Sequence, residues 1–329
     1  MKLKFDKVVL FGGGELSEQL LFWLKKNKIN FFFITSPRHL NEMLKKGNFS
    51  NFFKENKKNF LIIKKFDEIV VKKVLKINDI NTSLFLSIAA PWIFKEKIIN
   101  FFNGKLFNLH GTRLPQLRGG APFSWMILMG MKLGFCQLHK VEKKIDSGDI
   151  VKFEEFLYPS SCKIPIDYIE YYNTQNLVFL KKIIEKRKSG ILLKNIKQSE
   201  YLSSYWPRLN SEINGFIDWS MSPIELERFI CAFDDPYKGA STFLNNKKVF
   251  IKKAQLDFSD ANFHSYQTGI IFRKNHKWAC VALNKATLVI EKLCDVNNNN
   301  LLKKLKIGDR FFTEPSYLKK NKKRVKITP

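Results

Sequence analysis

Two side chains that could act together on a carbonyl group follow an apolar run near residue 107. Asn108 and His110 are two positions apart, so in a strand both point to the same side. An amide N–H can stabilise the oxyanion of an acyl transfer, while an imidazole accepts a proton from an attacking amine or supports the oxyanion itself. The two residues alone leave a second interpretation open, a strand-end histidine that is hydrogen-bonded to backbone groups.

A glycine run near the start of the chain could bind a nucleotide or merely form a turn. The segment VVLFGGGELS, residues 8–17, predicts a buried strand, a tight turn and an amphipathic helix. The third glycine of the Gly-x-Gly-x-x-Gly spacing is missing, and no clear ribose-binding acid ends the second strand. The run therefore does not predict a dinucleotide-dependent oxidoreductase.

Short apolar runs alternate with helical patterns through the first third of the chain. Such alternation predicts a parallel sheet with helices on both faces, a Rossmann-like α/β domain. In an open sheet of this kind, ligands bind beyond the carboxyl ends of the strands. We expect strands at residues 8–11, 31–34, 60–63, 84–88 and 106–109. Helices are expected between them at residues 15–26, 66–76 and 95–102.

The rest of the chain predicts the end of this domain and a second, smaller one. After a strand at 134–141, an extended run at 150–157 and a long helix at 167–188, the regularity lapses near 195–208. A capped helix then begins at Ser222, and short strands joined by Asn-rich turns suggest a small antiparallel barrel of OB-like type. We therefore expect a catalytic α/β domain at residues 1–192, a linker at 193–212, a barrel with a leading helix at 213–318 and a basic tail at 319–329.

The net charge is the extreme feature of the composition. The 329 residues carry a formal charge of +27, but only nine of the 57 basic residues are arginine. Planar phosphate recognition prefers the guanidinium group, so we favour a lysine-coated, solvated surface and keep a polyanion-binding surface as the alternative. The densest basic cluster, residues 319–324, is expected to be a frayed terminus.

Membrane insertion and metal binding find no support in the sequence. No apolar run reaches the roughly 18 residues that cross a bilayer. The five cysteines show no pairing or histidine spacing typical of a metal site, and isolated thiols in a reducing compartment explain them. We therefore expect a globular cytoplasmic protein without a metal.

Four linked motifs appear in order from residue 108 onwards. They resemble the signature of the folate-dependent formyltransferases, enzymes that move the formyl group of 10-formyltetrahydrofolate onto an amine. Looser similarity to this family extends over roughly residues 5–295 and includes the junction to a C-terminal barrel near 207–220. The four motifs are Asn108-x-His110, Leu114-Pro115, Arg118-Gly119 and Asp146-x-Gly148.

The resemblance implies roles for the catalytic residues. Asn108 would stabilise the oxyanion, His110 would help to remove the amine proton, and Asp146 would orient or charge His110. The other histidines are expected on the surface or in the packing. They are His39, His139, His264 and His276.

The resemblance also implies binding residues for two small-molecule substrates. The formyl donor, 10-formyltetrahydrofolate, would contact Ser87, Ala89, Ala90, Pro91, Trp92, Ile93, Val141, Ile145 and Gly148. The acceptor would contact the glycine turn, whose amides could hold a phosphate, and the Arg-Gly region, although Trp125 could equally belong to the core. These acceptor residues are Gly12, Gly13, Gly14, Glu15, Arg118, Gly119, Gly120 and Trp125.

The acceptor amine is less well defined than the donor. Methionyl-tRNA formyltransferases carry a basic loop after the second strand, and the matching residues 35–44 have little of that character. Residues 118–125 resemble the branch that formylates nucleotide-linked amino sugars, which we favour over Met-tRNA, with glycinamide-type acceptors third. An RNA-binding protein with a degenerate Rossmann domain is the non-enzyme alternative, and the intact Asn108, His110 and Asp146 count against it. The sugar, its nucleotide and the quaternary state, a homodimer included, stay open.

Overall fold

The first part of the chain folds around a mainly parallel sheet, in a computed structural model that describes residues 2–40, 42, 49–259 and 262–325. Its strands and helices are, in chain order, β1 (Lys2–Leu3), β2 (Lys7–Gly12), α1 (Gly14–Lys26), β3 (Asn30–Thr35), α2 (Pro37–Leu40), α3 (Phe49–Glu55), β4 (Phe60–Ile62), α4 (Glu68–Ile77), β5 (Ser83–Ile88), α5 (Glu96–Asn100), β6 (Leu106–His110), β7 (Arg118–Gly119), α6 (Pro122–Leu128), β8 (Leu133–Lys140), β9 (Ile150–Leu157) and α7 (Pro165–Glu185).

The central sheet has seven strands in the order β4-β3-β2-β5-β6-β8-β9. The five strands from β4 to β6 run parallel, whereas β8 and β9 are added antiparallel. Val8 and Leu10 pack in one apolar cluster with α1 and α7, while Val9 and Phe11 pack in another with α4 and α5. This alternation of buried side chains shows that helices cover both faces, which confirms the predicted α/β architecture.

The second part of the chain forms an antiparallel barrel. Its six strands have the order β14-β15-β16-β13-β12-β17, and the two outer strands meet where Ile271 N–H donates to Asp309 O at 2.8 Å and Phe311 N–H donates to Gly269 O at 2.9 Å. The predicted small barrel is therefore confirmed. The elements are β10 (Ile191–Leu192), β11 (Tyr205–Trp206), α8 (Ser211–Asn214), α9 (Pro223–Ala232), β12 (Ala240–Leu244), β13 (Lys247–Asp257), β14 (Ile271–Lys274), β15 (Ala279–Leu283), β16 (Ala286–Cys294), β17 (Phe311–Phe312) and α10 (Pro315–Asn321).

The segment that we predicted as a linker folds back onto the first domain. Within it, β11 pairs in parallel with β7, next to Gly119, and Ile196 exchanges backbone hydrogen bonds with Ile150 at 2.9 and 3.0 Å. Residues 193–206 are therefore part of the α/β domain surface, and they approach the strand ends where a ligand is expected.

The basic tail is more ordered than the sequence suggested. Helix α10 begins before the predicted boundary at 318, and the buried side chain of Asn214 donates to Asn321 O at 2.8 Å and to Lys323 O at 3.0 Å. A buried amide needs such partners, which explains why the tail is held and not frayed at this point. Residues 326–329 lie outside the described residues.

The two domains share one apolar cluster. Met126 of α6 and Tyr168 of α7 pack in the same cluster as Leu226 and Ile230 of α9, together with inward-facing barrel residues. Ser124 also donates its hydroxyl to Ala232 O at 2.8 Å. Within the part of the chain that the structure describes, no helix is both long and apolar enough to cross a membrane.

Candidate active site

The register of the antiparallel pair β6 and β8 places His139 beside Asn108. Asn108 Nδ2 lies 3.1 Å from His139 Nε2, and His139 Nδ1 lies 2.7 Å from Lys140 O. Because a carbonyl can only accept, the ring proton is on Nδ1, and Nε2 accepts one N–H of the Asn108 amide. This contact fixes the orientation of the Asn108 amide, and therefore the direction of its second N–H.

His139 is a site residue that the sequence reasoning missed. We predicted a surface or packing role, but the side chain is only 2% exposed and lies within hydrogen-bond distance of Asn108. The prediction failed because the proximity follows from the pairing of two strands that are distant in sequence. The other three histidines agree with the prediction, since His39 is buried in packing and His264 and His276 are exposed.

His110 is the last residue of β6, and its ring is buried. Its Nε2 lies 2.8 Å from Leu117 O, so this nitrogen carries the proton of the neutral ring, and the Thr112 hydroxyl is also 2.8 Å from it. Its Nδ1 faces Asp146 Oδ2 at 3.8 Å. Burial lowers the pKa of His110, and the opposing effect of the Asp146 carboxylate does not outweigh it. The ring is therefore a neutral base with its free lone pair directed at Asp146.

Asp146 lies in the loop after β8 and faces both histidines. One carboxylate oxygen accepts the Gly119 N–H at 3.0 Å, and the other lies 3.5 Å from His139 Nε2. Burial alone would raise the pKa of Asp146, but the charged forms of the His110 and His139 rings and the Gly119 N–H outweigh it and hold the pKa well below its usual range. The carboxylate is therefore ionised and can stabilise a positive charge that forms on His110.

The same three side chains could also hold a cation. His110, His139 and Asp146 each place one potential ligand atom within 4.8 Å of the others. In the arrangement observed, His139 Nε2 accepts from Asn108 and Asp146 accepts from Gly119, which suits a proton-transfer site. That no metal takes part stays a prediction.

The Asp146 loop is held by residues of the folded-back segment. Gln198 Nε2 donates to Asp146 O at 2.9 Å and to Gly148 O at 2.7 Å. Arg118 in turn donates to Gln198 Oε1 at 3.0 and 3.1 Å and to Glu200 at 3.0 Å. We predicted that Arg118 contacts the acceptor, but its guanidinium is engaged in this network and supports the loop.

Gly119 lets two backbone segments approach closely. Its φ is +113°, and a Cβ atom there would lie 2.1 Å from Trp206 O across the β7–β11 pair. Any side chain would therefore push β11 away and displace the N–H that binds Asp146.

A cleft of about 280 Å³ opens next to these residues. Seven of the nine predicted donor residues line it, the exceptions being Pro91 and Gly148. Gly148 instead permits a close approach of two backbone segments, because a Cβ there would lie 2.1 Å from Lys140 O. Besides His139, the lining residues that the sequence reasoning did not include are Phe94, Leu109, Glu142, Lys143, Tyr205 and Arg208.

The predicted acceptor residues are only partly brought together. Gly119 and Gly120 line the cleft, whereas the residues of the glycine turn do not. A Cβ at Gly12 would lie 1.8 Å from Ile88 O, so this glycine permits the close approach of β2 to β5. Trp125 donates its indole N–H to Pro207 O at 2.8 Å and packs on Trp206 at 4.9 Å between ring centroids, which is a packing role.

One family model and two sequence relatives match parts of this chain. Residues 211–301 match the family model described as formyl transferase, C-terminal domain. The chain is 31% identical over 184 residues to the bifunctional polymyxin resistance protein ArnA of Wigglesworthia glossinidia brevipalpis, an alignment that covers 54% of this chain and 26% of the relative. It is 27% identical over 192 residues to methionyl-tRNA formyltransferase of Ruminiclostridium cellulolyticum, covering 58% and 60%. The aligned part is thus less than two thirds of either relative.

Solved structures with the same fold cover most of the chain. The sugar 3N-formyl transferase WlaRD, determined in the presence of dTDP and 5-N-formyl-THF, superposes with a TM-score of 0.65 at 21% identity over 87% of this chain and 97% of its own. An N-formyltransferase of Helicobacter canadensis in complex with folinic acid and dTDP-3-aminofucose gives 0.65 at 19% identity over 87% and 98%.

The family model matches the second domain, and the superpositions give the same fold over 87% of the chain. The chain therefore has the formyltransferase fold, and its residues 211–301 form a formyl transferase C-terminal domain, which confirms the resemblance found in the sequence.

Proposed function

We propose that this protein is an N-formyltransferase that moves the formyl group of 10-formyltetrahydrofolate onto the amine of a nucleotide-linked amino sugar. One observation carries the proposal: an amide donor, a neutral imidazole and an ionised carboxylate line the same cleft in Asn108, His110 and Asp146. This is the set of groups that acyl transfer to an amine requires.

The residues along the cleft suit a folate. Ile93 and Ile145 are apolar yet 63% and 45% exposed, and Trp92 and Val141 line the cleft beside them. Exposed apolar side chains around a cleft favour a flat heteroaromatic ligand. When bound there, 10-formyltetrahydrofolate would supply the formyl carbon and the amine nitrogen that departs from it.

Asn108 would act on the charge that develops during transfer. As the acceptor nitrogen bonds to the formyl carbon, the carbonyl electron pair moves onto oxygen. One N–H of Asn108 is fixed by His139, so the other can donate to that oxygen without reorganising. A single prearranged donor of this kind typically contributes about 3 to 4 kcal/mol to transition-state stabilisation.

His110 and Asp146 would manage the proton. The attacking amine becomes acidic as its nitrogen bonds to carbon, and His110 Nδ1 is the lone pair available to accept its proton, since Nε2–H donates to Leu117 O. The imidazolium that results faces the Asp146 carboxylate, which stabilises it. His110 then returns the proton to the nitrogen that leaves, so the site ends in its starting state.

The choice of acceptor draws on the structural relatives. The two superposed structures are those of a sugar 3N-formyl transferase with dTDP and of an N-formyltransferase with dTDP-3-aminofucose. Each covers 87% of this chain with a TM-score of 0.65, whereas the solved methionyl-tRNA formyltransferase of Clostridium thermocellum covers 78% with a TM-score of 0.54. These two likenesses support an amino sugar on a nucleotide carrier.

Met-tRNA is the second candidate, favoured by the methionyl-tRNA formyltransferase relative and by the net charge of +27. The loop expected to be basic in such enzymes carries Arg38 and His39, and His39 is buried against Gly13, while residues 41 and 43–48 lie outside the described residues. A specific tRNA complex should weaken steeply with salt, whereas a lysine-coated enzyme should bind weakly throughout.

The test is direct. The protein is incubated with 10-formyltetrahydrofolate and either a panel of nucleotide-linked amino sugars or Met-tRNA, while the tetrahydrofolate product is monitored. Turnover with a nucleotide sugar, abolished in Asp146→Asn, supports the proposal. Turnover with Met-tRNA alone would transfer the assignment to the second candidate, and no turnover with either would leave the fold without this activity.

A further inference from the structure

The basic tail is fixed against the start of the barrel domain. Asn321 exchanges two hydrogen bonds with the backbone of Phe216, at 3.0 and 2.6 Å, and Tyr317 packs on Phe216 and Phe243 with ring centroids 5.0 and 4.6 Å apart. Asn214 also holds the Lys323 carbonyl. Together these contacts set the position of the residue that follows, Arg324.

Arg324 reaches the cleft through an aromatic contact. Its guanidinium carbon lies 5.5 Å from the ring centroid of Tyr205, a cation–π distance, and Tyr205 lines the cleft with 45% of its surface exposed. Tyr205 is placed by the β7–β11 pair, opposite Arg118, one residue from the Gly119 N–H that holds Asp146. The tail therefore places a guanidinium against an aromatic residue that lines the cleft.

The lining of the cleft includes groups of two chemical kinds. Trp92, Ile93 and Ile145 are apolar, whereas Tyr205, Arg208 and the glycine backbone at 119–120 offer an aromatic ring, a guanidinium and peptide groups. An aromatic face with guanidinium groups beside it is suited to a nucleoside diphosphate, because guanidinium pairs with phosphate oxygens in a planar fork and an aromatic ring can stack on a base.

We propose that Arg324 and Tyr205, together with Arg208, form the subsite for the nucleoside diphosphate of the acceptor. The inference rests on the proposed function and adds to it a contribution from the C-terminal tail. The guanidinium of Arg324 contacts the diphosphate, and the cation–π contact with the Tyr205 ring holds that guanidinium in position. Arg324 thereby determines affinity for the acceptor and not the chemistry of transfer.

The test compares four variants of the full-length chain by calorimetric titration with dTDP and UDP, and by steady-state kinetics. Arg324→Gln should weaken nucleotide binding and raise the acceptor KM by about tenfold or more, as expected for the loss of a charge-assisted contact. The donor KM and the kcat at saturating acceptor should not change. Tyr205→Leu should have the same effect, while Tyr205→Phe keeps the ring and should bind like the wild type.

Lys322→Gln is the matched control, because it removes one positive charge from the same exposed tail. It should alter binding by no more than about twofold. The proposal is overturned if Arg324→Gln behaves like Lys322→Gln while the wild type formylates a nucleotide sugar. A wild type that binds neither nucleotide and formylates only Met-tRNA would overturn the acceptor class as well, so the two failures are distinguishable. Near-UV circular dichroism confirms that each variant is folded.

Discussion

Asn108 and His139 share a hydrogen bond, so the oxyanion donor depends on a neighbour for its direction. We expect His139→Leu to lower kcat about tenfold or more, because the Asn108 amide loses the acceptor that orients it. His139→Gln offers a carbonyl oxygen to the same N–H and should recover most of the rate. Steady-state kinetics at saturating donor will check this, with the donor KM unchanged in both variants. Equal kcat in the leucine variant and the wild type would show that Asn108 needs no such support.

The His110–Asp146 pair makes activity depend on pH in a defined direction. The unprotonated ring is the base, so the rate should fall as the pH drops through the pKa of His110, which burial sets below the ordinary value of about 6.5. Asp146 opposes that shift, so Asp146→Asn should move the acid limb to still lower pH and lower the plateau about 10²- to 10⁴-fold. A profile of kcat against pH measures both effects. An acid limb displaced to higher pH in the variant would contradict this assignment.

Among single residues, the sequence predicted that Asn108 and His110 act together, and the family motif added Asp146; the structure brings the three side chains into one cluster with His139. It could not identify His139, because a residue in the middle of β8 reaches Asn108 only through the antiparallel register of two strands. It also misplaced Arg118, since nothing local shows that Gln198 and Glu200 receive its guanidinium.

Among the elements, strands β7 and β11 are only two residues long, but we expect their pairing to affect both stability and kcat. Gly119→Ala would force a Cβ against Trp206 O, so we expect β11 to separate from β7, a stability loss of about 2 to 3 kcal/mol and a large fall in kcat. Gly104→Ala is the matched control, since Gly104 also has a positive φ, +72°, but open space around it. It should cost about 1 to 2 kcal/mol, the penalty of a left-handed alanine, and leave kcat unchanged. Urea unfolding and turnover assays measure the two quantities, and equal losses in both variants would refute the steric explanation.

Element positions were the most predictable part of this molecule. Apolar runs such as residues 8–11 and 84–88 lie inside β2 and β5 because strands buried on both faces leave a clear local pattern. The pairing of residues 205–206 with 118–119 has no such pattern, since it joins two short segments distant in sequence. What looked like a linker thus turned out to be part of the site.

Over the whole molecule, the apolar cluster shared by α6, α7, α9 and the barrel makes the two domains interdependent. Ile230 is fully buried in that cluster, and Ile230→Ala should lower the free energy of unfolding by about 2 to 5 kcal/mol. Because the cluster is shared, we expect the α/β domain and the barrel to unfold in one transition, in the wild type and in the Ile230→Ala variant alike. Thermal unfolding followed by near-UV and far-UV circular dichroism will test this. Two separate transitions, with only the second shifted by the substitution, would show that the domains are independent.

Gln198 holds the Asp146 loop from a position well beyond the central sheet. A nascent chain that has emerged only as far as residue 190 already contains every strand of that sheet and the three side chains that we propose as catalytic. It does not yet contain the amide that fastens the loop or the strand that pairs with Gly119. Catalytic competence should therefore appear late in translation, after residue 206 has left the ribosome.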